Sequence, residues 1–126
     1  MTVSEVIEFV DTVKPNAFPP AVKIRWLSQL EGRIASEVFL MAPQEMEQFN
    51  YAALDEAEAE RQILLVNFPY DDIYPAWLKA MVDYENGEYN KYQNTMQQFN
   101  ERFNSFVAWF ANAYEPANRY FQPDTT

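Results

Sequence analysis

The side chains of this sequence that could do chemistry are mainly carboxylates, and one pair of them is adjacent. Asp71 and Asp72 could bind a metal ion or act as a general acid and base, as paired carboxylates do in glycosidases. Pro75 follows three residues later, and proline is tolerated in the first turn of a helix because no amide donor is needed there. We therefore predict that the pair caps the N-terminus of a helix.

A second acidic group occupies residues 43–60 and contains no base. Its six members are Glu45, Glu47, Asp55, Glu56, Glu58 and Glu60. A calcium site is one interpretation, but the alternating Asp/Asn ligands, central glycine and closing glutamate of an EF-hand loop are missing. We interpret the run as a solvated loop, and a surface for a basic partner is the alternative.

Histidine and cysteine are both absent, which narrows the possible functions. Without them there is no thiolate nucleophile, no cysteine-ligated metal and no imidazole base, so we expect no enzyme activity, no cofactor and no metal. The formal net charge of −10 repels phosphate backbones. The densest basic group, Lys23, Arg25 and Arg33, is diluted by Glu31 and Glu37, so we expect no specific nucleic-acid binding.

Length and composition indicate which elements position these groups. The 126 residues fit one domain, and only two of them are glycine, while helix-forming residues are abundant. This composition predicts an all-α bundle of about four helices. No apolar run is long enough to span a membrane, and the N-terminus lacks the basic start of a signal peptide. A cytoplasmic protein is therefore expected.

The first two helices follow from capping and proline signals. Thr2 and Glu5 form a capping-box pattern, and Pro15 ends the first helix. Its apolar face comprises Val3, Val6, Ile7, Val10 and Val13. The second helix begins near Pro20 and is ended by Pro43, and its Gly32 predicts close approach of a neighbouring backbone. Its apolar face comprises Trp26, Leu27, Leu30, Ile34, Val38 and Met41.

The last two helices carry most of the aromatic side chains. The third runs from Asp71 to Asn86 and ends at Gly87, which suits the left-handed C′ position. Its main apolar stripe is Ile73, Trp77, Met81 and Tyr84, which Tyr74 and Leu78 broaden. The fourth runs from about Glu88 to Tyr114, before Pro116. Its heptad stripe is Tyr89, Tyr92, Met96, Phe99, Phe103, Phe106, Phe110 and Ala113. Because coiled-coil seams prefer Leu, Ile and Val, we predict the core of an intramolecular bundle rather than an intermolecular coiled coil.

Residues 42–70 lack a clear helical pattern and are predicted as a loop or arm. Within them, 63–66 reads as a short β segment or as an extended arm that Pro69 closes. We expect a single helical domain over 1–116, which includes this arm, and a flexible tail over 117–126.

The chain has 3 Trp, 8 Tyr and 10 Phe, and several of these rings lie in the connections rather than in the helices. Aromatic side chains are enriched in the cores of protein interfaces. The sequence therefore predicts a protein-binding surface, with Phe49, Tyr51, Leu65, Phe68 and Tyr70 as its candidate residues.

Three segments of the sequence carry a resemblance to a known family. They are 26–39 (WLSQLEGRIASEVF), 69–74 (PYDDIY) and 84–94 (YENGEYNKYQN), followed by the long aromatic helix. Over about residues 1–116 the chain resembles the small, prophage-encoded head–tail connector (adaptor) proteins of tailed bacteriophages. The acidic stretch 52–60 matches no motif of that family.

The resemblance implies a structural subunit of the virion. Such a subunit joins a ring below the portal, extends the DNA channel without binding DNA specifically, and supports the tail. It has no enzymatic activity and no cofactor. Its partners are the portal and tail-completion proteins and further copies of itself. It is found in the host bacterial cytoplasm during assembly and in the virion neck afterwards.

The acidic composition supports a competing hypothesis. A compact chain with clustered carboxylates could occupy the basic groove of a DNA-binding protein as a DNA mimic, which would make it a regulatory inhibitor. Such binding should be steeply salt-sensitive, whereas a connector should meet its partners through apolar contacts.

Overall fold

A computed structural model describes the backbone of residues 1–121 and the side chains of residues 1–113. Most of these residues are helical. Residues 1–121 contain five α-helices: α1 Val3–Val13, α2 Pro20–Arg33, α3 Glu56–Glu60, α4 Ile73–Glu85 and α5 Tyr89–Phe121. A π-helical turn, Ile34–Val38, extends α2, and three 3-10 helices span Pro43–Phe49, Tyr51–Ala53 and Tyr70–Asp72. The all-α class is confirmed.

Helix α1 begins and ends as its sequence predicts. The Thr2 hydroxyl accepts from the Glu5 amide at 3.2 Å, and the Glu5 carboxylate accepts from the Thr2 amide at 2.7 Å. This capping box satisfies two backbone donors. The helix ends at Val13, ahead of Pro15. Val13 itself is 49% exposed, so its predicted place on the buried face is wrong, and the core on this helix ends at Val10.

Helix α2 begins at Pro20 as predicted, and it ends earlier than predicted. The α-helical part ends at Arg33 and the π-helical turn at Val38, several residues ahead of Pro43, which instead begins a 3-10 helix. Leu40 leaves the helical region with a φ of 56°. The predicted close approach at Gly32 is wrong, because a Cβ built there would have nothing within 4 Å.

Residues 42–70 pack on the bundle through helical turns and an extended stretch. Asp55 caps α3 by accepting from the Glu58 amide at 2.9 Å. Thr2 and Ile63 form one isolated antiparallel bridge, and no strand occurs within residues 1–121. A single bridge does not continue into a ladder, so the predicted short β segment is not found. Leu64 is buried, which places the extended stretch against the core rather than projecting from it.

Helices α4 and α5 form a hairpin whose turn contains Gly87 at a φ of 74°, as predicted. The heptad stripe of α5 enters the core only in its middle, where Phe99, Phe103 and Phe106 are buried. Tyr89, at the N-terminal end of the stripe, is 60% exposed. The intramolecular interpretation of the stripe is therefore confirmed for its central turns.

The C-terminal end of α5 differs from the prediction. The helix passes Pro116 and continues to Phe121, although proline there removes the donor to the carbonyl of Asn112. The predicted tail, 117–126, is thus helical in its first five residues, and 122–126 lie outside the described residues.

The carboxylates that precede α4 act through charge rather than through a capping hydrogen bond. Asp72 occupies the N-cap position but makes no side-chain capping bond, so that prediction is wrong. The 3-10 turn ahead of α4 brings the Ile73 amide to backbone carbonyls, including that of Tyr70, and this takes over the role of a cap. The Asp72 carboxylate lies 3.4 Å from Nε of Arg102 on α5.

Among the side chains of residues 1–113, three charged ones are buried, and two of them form ion pairs that join elements. The Lys23 ammonium donates to Asp11 at 2.7 Å, so Lys23 belongs to the interior and not to the predicted basic surface group. Lys14 donates to Asp83 at 2.8 Å. The third buried charge, Glu31, belongs to the candidate site.

Candidate functional site

Three of the five residues predicted for an interface come together around an apolar groove. Leu65, Phe68 and Tyr70 line it, and its volume is about 120 Å³. The remaining lining residues are Phe39, Val66, Asn67, Phe106, Trp109 and Phe110. Segment 65–70 and helix α5 therefore form opposite walls, and most of the exposed lining is aromatic.

The walls of the groove are held by contacts between rings. Tyr70 stacks on Trp109 with ring centroids 5.0 Å apart, and Phe39 lies 5.0 Å from Phe110. Phe106, which is buried, lies between these pairs and contacts both Tyr70 and Phe39, at 6.2 and 6.5 Å. On α5 the three aromatic positions are spaced by three and four residues, so they share one face of the helix. The groove is thus largely preformed.

Phe68 is the most exposed large apolar side chain of the described residues. It is 87% exposed and lies at the rim of the groove, just ahead of the 3-10 turn that begins at Tyr70. A phenylalanine ring gains about 1.5–3 kcal/mol when it leaves water. Because Phe68 is exposed, its ring contributes little to the free energy of folding. Burial of the ring by a partner would instead contribute to the free energy of binding.

The other two predicted interface residues lie elsewhere. Phe49 is half-buried beside α2, in a shallow depression that Arg25, Gln29 and Met46 also line. Tyr51 is only 2% exposed, so its side chain is not accessible to a partner in this fold. Its position in a connection predicts a surface side chain, and this prediction is wrong because its hydroxyl has a partner in the core.

That core partner is Glu31, a buried carboxylate that accepts three hydrogen bonds. The hydroxyl of Tyr51 donates to it at 3.0 Å, the hydroxyl of Tyr74 at 2.5 Å and the amide of Leu65 at 2.9 Å. The Tyr74 hydroxyl in turn accepts from the Val66 amide at 2.9 Å. Glu31 and Tyr74 thereby fix the backbone that carries one wall of the groove.

Burial determines the electrostatics of this cluster. It raises the pKa of Glu31 above the ordinary value, and the hydrogen bonds from Tyr74, Leu65 and Tyr51 oppose that rise. Burial, together with the neighbouring Glu31 carboxylate, also raises the pKa values of Tyr51 and Tyr74 well above those of free tyrosine. Both hydroxyls consequently remain protonated and serve as donors.

The sequence contained a signal for Glu31 that we interpreted differently. Glu31 follows Leu27 by four residues and precedes Ile34 by three, which places it on the apolar face of α2. A charged residue at such a position needs buried hydrogen-bond partners. Those partners come from residues 20 to 43 positions away, so only the fold brings them together.

The acidic run forms a separate surface. Glu45, Glu47, Asp55, Glu56 and Glu58 are all exposed. No group of three or more acidic side chains in the described part of the chain is arranged to hold a metal ion. Within the same residues, none of the helices combines the length and apolar character needed to cross a bilayer.

No family model matches this chain, and the comparisons with curated proteins and with solved structures found no match either.

Proposed function

We propose that this chain is a non-enzymatic assembly subunit that docks a partner protein through the groove beside Phe68. The observation that carries the proposal is the position of Phe68, 87% exposed at the rim of an aromatic groove. Interfaces concentrate their binding energy in a few aromatic anchors surrounded by a rim that excludes water. Phe68 and the half-buried Leu65 and Tyr70 match that arrangement.

The specific role we propose is that of a head–tail connector of a tailed bacteriophage, as the sequence resemblance implies. In that role the partners are the portal and tail-completion proteins, and copies of the chain close into a ring at the virion neck. Two different patches on each subunit produce a closed ring when the rotation between neighbours fits. The net charge of −10 suits a channel through which DNA passes without being held.

The test is affinity capture of the tagged full chain from bacterial cells after prophage induction, followed by a high-salt wash and mass spectrometry. Phe68→Ser is the test variant. Ile63→Ser is its matched control, because Ile63 is 73% exposed and does not line the groove. We expect portal and tail-completion proteins with the wild type and with Ile63→Ser, and their loss with Phe68→Ser.

One observation favours a second candidate function. Five carboxylates are exposed between Glu45 and Glu58, and residues 43–60 contain no lysine or arginine. Such a negatively charged surface is complementary to a basic partner of the kind that binds DNA. In the same experiment, capture of a basic nucleic-acid-binding protein that high salt releases would favour this function. Binding would then be insensitive to Phe68→Ser and weakened by the double variant Glu56→Gln, Glu58→Gln, and the connector proposal would be rejected.

A further inference from the structure

We propose that a second cleft, between α1, α4 and α5, binds a small amphipathic monocarboxylate. The apolar tail of this ligand would lie on Phe9 and Pro75, and its carboxylate would pair with Lys79. The cleft and the groove beside Phe68 both use helix α5, but they share no lining residue. This proposal is therefore independent of the proposed function.

The cleft has the size and lining of a site for a small molecule. Its volume is about 300 Å³, which is at the lower end of the range of roughly 300–1,000 Å³ that is typical of small-molecule sites. Phe9, Pro75 and Ala76 supply its apolar lining. The polar lining consists of Asp72, Lys79, Thr95, Gln98 and Arg102. Small-molecule sites are typically concave and mostly apolar, with a few polar groups that orient the ligand.

Lys79 is the lysine that lacks a carboxylate partner among the described residues. The ammonium groups of Lys14, Lys23 and Lys91 each lie 2.7–2.8 Å from a carboxylate oxygen. The Lys79 ammonium instead lies 5.6 Å from the ring centroid of Phe9, and its side chain is half-buried. An unpaired ammonium beside an apolar surface suits an external anion that carries an apolar tail.

The charge of the cleft selects a monoanion. Its other two cations are already engaged. Nε of Arg102 lies 3.4 Å from the Asp72 carboxylate, and the N-terminal ammonium of Met1 lies 3.7 Å from the Asp71 carboxylate. One uncompensated positive charge therefore remains, on Lys79. A phosphate dianion would leave one charge unpaired close to Asp72, and it would not cover the apolar lining. A carboxylate with a short apolar tail satisfies both parts of the cleft.

The test is a titration of the full chain with octanoate and with 1-octanol, which share a tail length and differ in charge, followed by amide shifts in two-dimensional NMR spectra. We expect octanoate to shift the amides of Phe9, Ala76 and Lys79 and to bind about tenfold more tightly than 1-octanol. Lys79→Met should weaken octanoate about tenfold and leave 1-octanol unchanged. Lys91→Met, which removes the same charge from an exposed pair on α5, should weaken neither ligand.

Four results would overturn the proposal. One is equal affinity of the wild type for octanoate and 1-octanol, a comparison that needs no variant to fold. Another is an equal loss of octanoate affinity in Lys79→Met and Lys91→Met, which would show that the overall charge of the protein, and not a contact with Lys79, determines the affinity. The third is a cluster of shifted amides around Phe68 and Trp109 in place of Phe9. Phe9→Ser, a change at a partly exposed side chain, should weaken both ligands, and unchanged affinity would also contradict the proposal. None of these results tests whether a partner protein docks in the groove beside Phe68.

Discussion

Glu31 connects the buried core to one wall of the groove. Its carboxylate is withdrawn from water, which raises its pKa, and it is stabilised by three donors from three segments of the chain. A buried charge left without such donors would be strongly destabilising. Because one donor is the Leu65 amide, the same bonds that make Glu31 tolerable in the core also fix a wall of the groove.

The first prediction concerns the pH dependence of stability at Glu31. Because its pKa is raised in the folded protein, its contribution to stability is fully present below the unfolded pKa and is lost as the pH rises through the folded pKa. Glutamine does not titrate. The stability of the wild type relative to Glu31→Gln should therefore fall as the pH rises from about 5. Urea unfolding of both proteins between about pH 5 and about pH 8 measures this difference.

Tyr51→Phe serves as the control for that interpretation. The Tyr51 hydroxyl favours the charged form of Glu31, so its removal should raise the pKa of Glu31 further and move the fall in stability to higher pH. A pH-independent difference between wild type and Glu31→Gln would show that burial does not perturb Glu31.

The second prediction concerns the two glycines, whose backbones differ. A Cβ at Gly32 would meet nothing within 4 Å, and alanine is a better helix former than glycine. Gly32→Ala should therefore stabilise the protein by about 0.5–1 kcal/mol. Gly87 has a φ of 74°, so Gly87→Ala should destabilise it by about 1 kcal/mol. Urea midpoints of the two variants check both signs. If Gly32→Ala destabilised the protein, another group would have to lie against the added Cβ, in contradiction to the open space that the structure shows there.

At the scale of elements, the end of α1 is joined to the α4–α5 hairpin through Asp83. This carboxylate is buried on α4, and it accepts from Lys14 at the end of α1 at 2.8 Å and from Thr95 on α5 at 3.0 Å. The Asp83 carboxylate thus joins α4 to the end of α1 and to α5. Their relative positions also shape the cleft around Lys79, which the same three helices line.

The third prediction tests this connection with Lys14→Met. The substitution retains the apolar stem and leaves the buried Asp83 carboxylate with the neutral Thr95 hydroxyl. A hydrogen bond to a charged group contributes about 1.5–3 kcal/mol, so we expect a loss of about 2 kcal/mol in the free energy of unfolding. Lys91→Met removes an equal charge from the exposed pair with Glu88 and should leave the unfolding midpoint unchanged. Equal losses in the two variants would contradict a specific role for Asp83.

The elements that depend on local signals were predictable from the sequence. The capping box at Thr2, the start of α2 at Pro20 and the turn at Gly87 are each encoded by residues within a few positions of one another. The π-helical end of α2 and the turns of residues 43–53 were not predicted, because tertiary contacts determine them. Phe39, for example, packs against Phe106 and Phe110 on α5 at the end of the π-helical turn, and the next residue, Leu40, leaves the helical region.

The candidate site was predictable in part for the same reason. Leu65, Phe68 and Tyr70 are close in sequence, so their aromatic and apolar character alone placed them in one surface. The opposite wall, Trp109 and Phe110, lies about forty residues away and is brought there by the α4–α5 hairpin. Tyr51 was misplaced because nothing near it in the sequence indicates its bond to Glu31.

At the scale of the whole molecule, charge opposes compactness. The formal net charge is −10, and five carboxylates are exposed between Glu45 and Glu58 without an intervening base. Like charges within a Debye length of one another favour the expanded chain. Attractive pairs act in the opposite sense, but those between exposed side chains, such as Arg33 with Glu37 and Arg102 with Asp72, contribute little individually.

The fourth prediction follows from the balance of these two effects. Salt weakens both the repulsion among 19 acidic groups and the attraction within the few exposed pairs, and the repulsion is the larger because acids outnumber bases by about two to one. Between about 10 mM and about 200 mM NaCl the Debye length falls from roughly 30 Å to below 10 Å. The urea midpoint should therefore rise over this range, whereas the buried Lys14–Asp83 pair is screened much less and remains. Urea is required because guanidinium is itself a salt. A midpoint that falls with salt would show that ion pairs, and not the excess of negative charge, dominate the electrostatics of this fold.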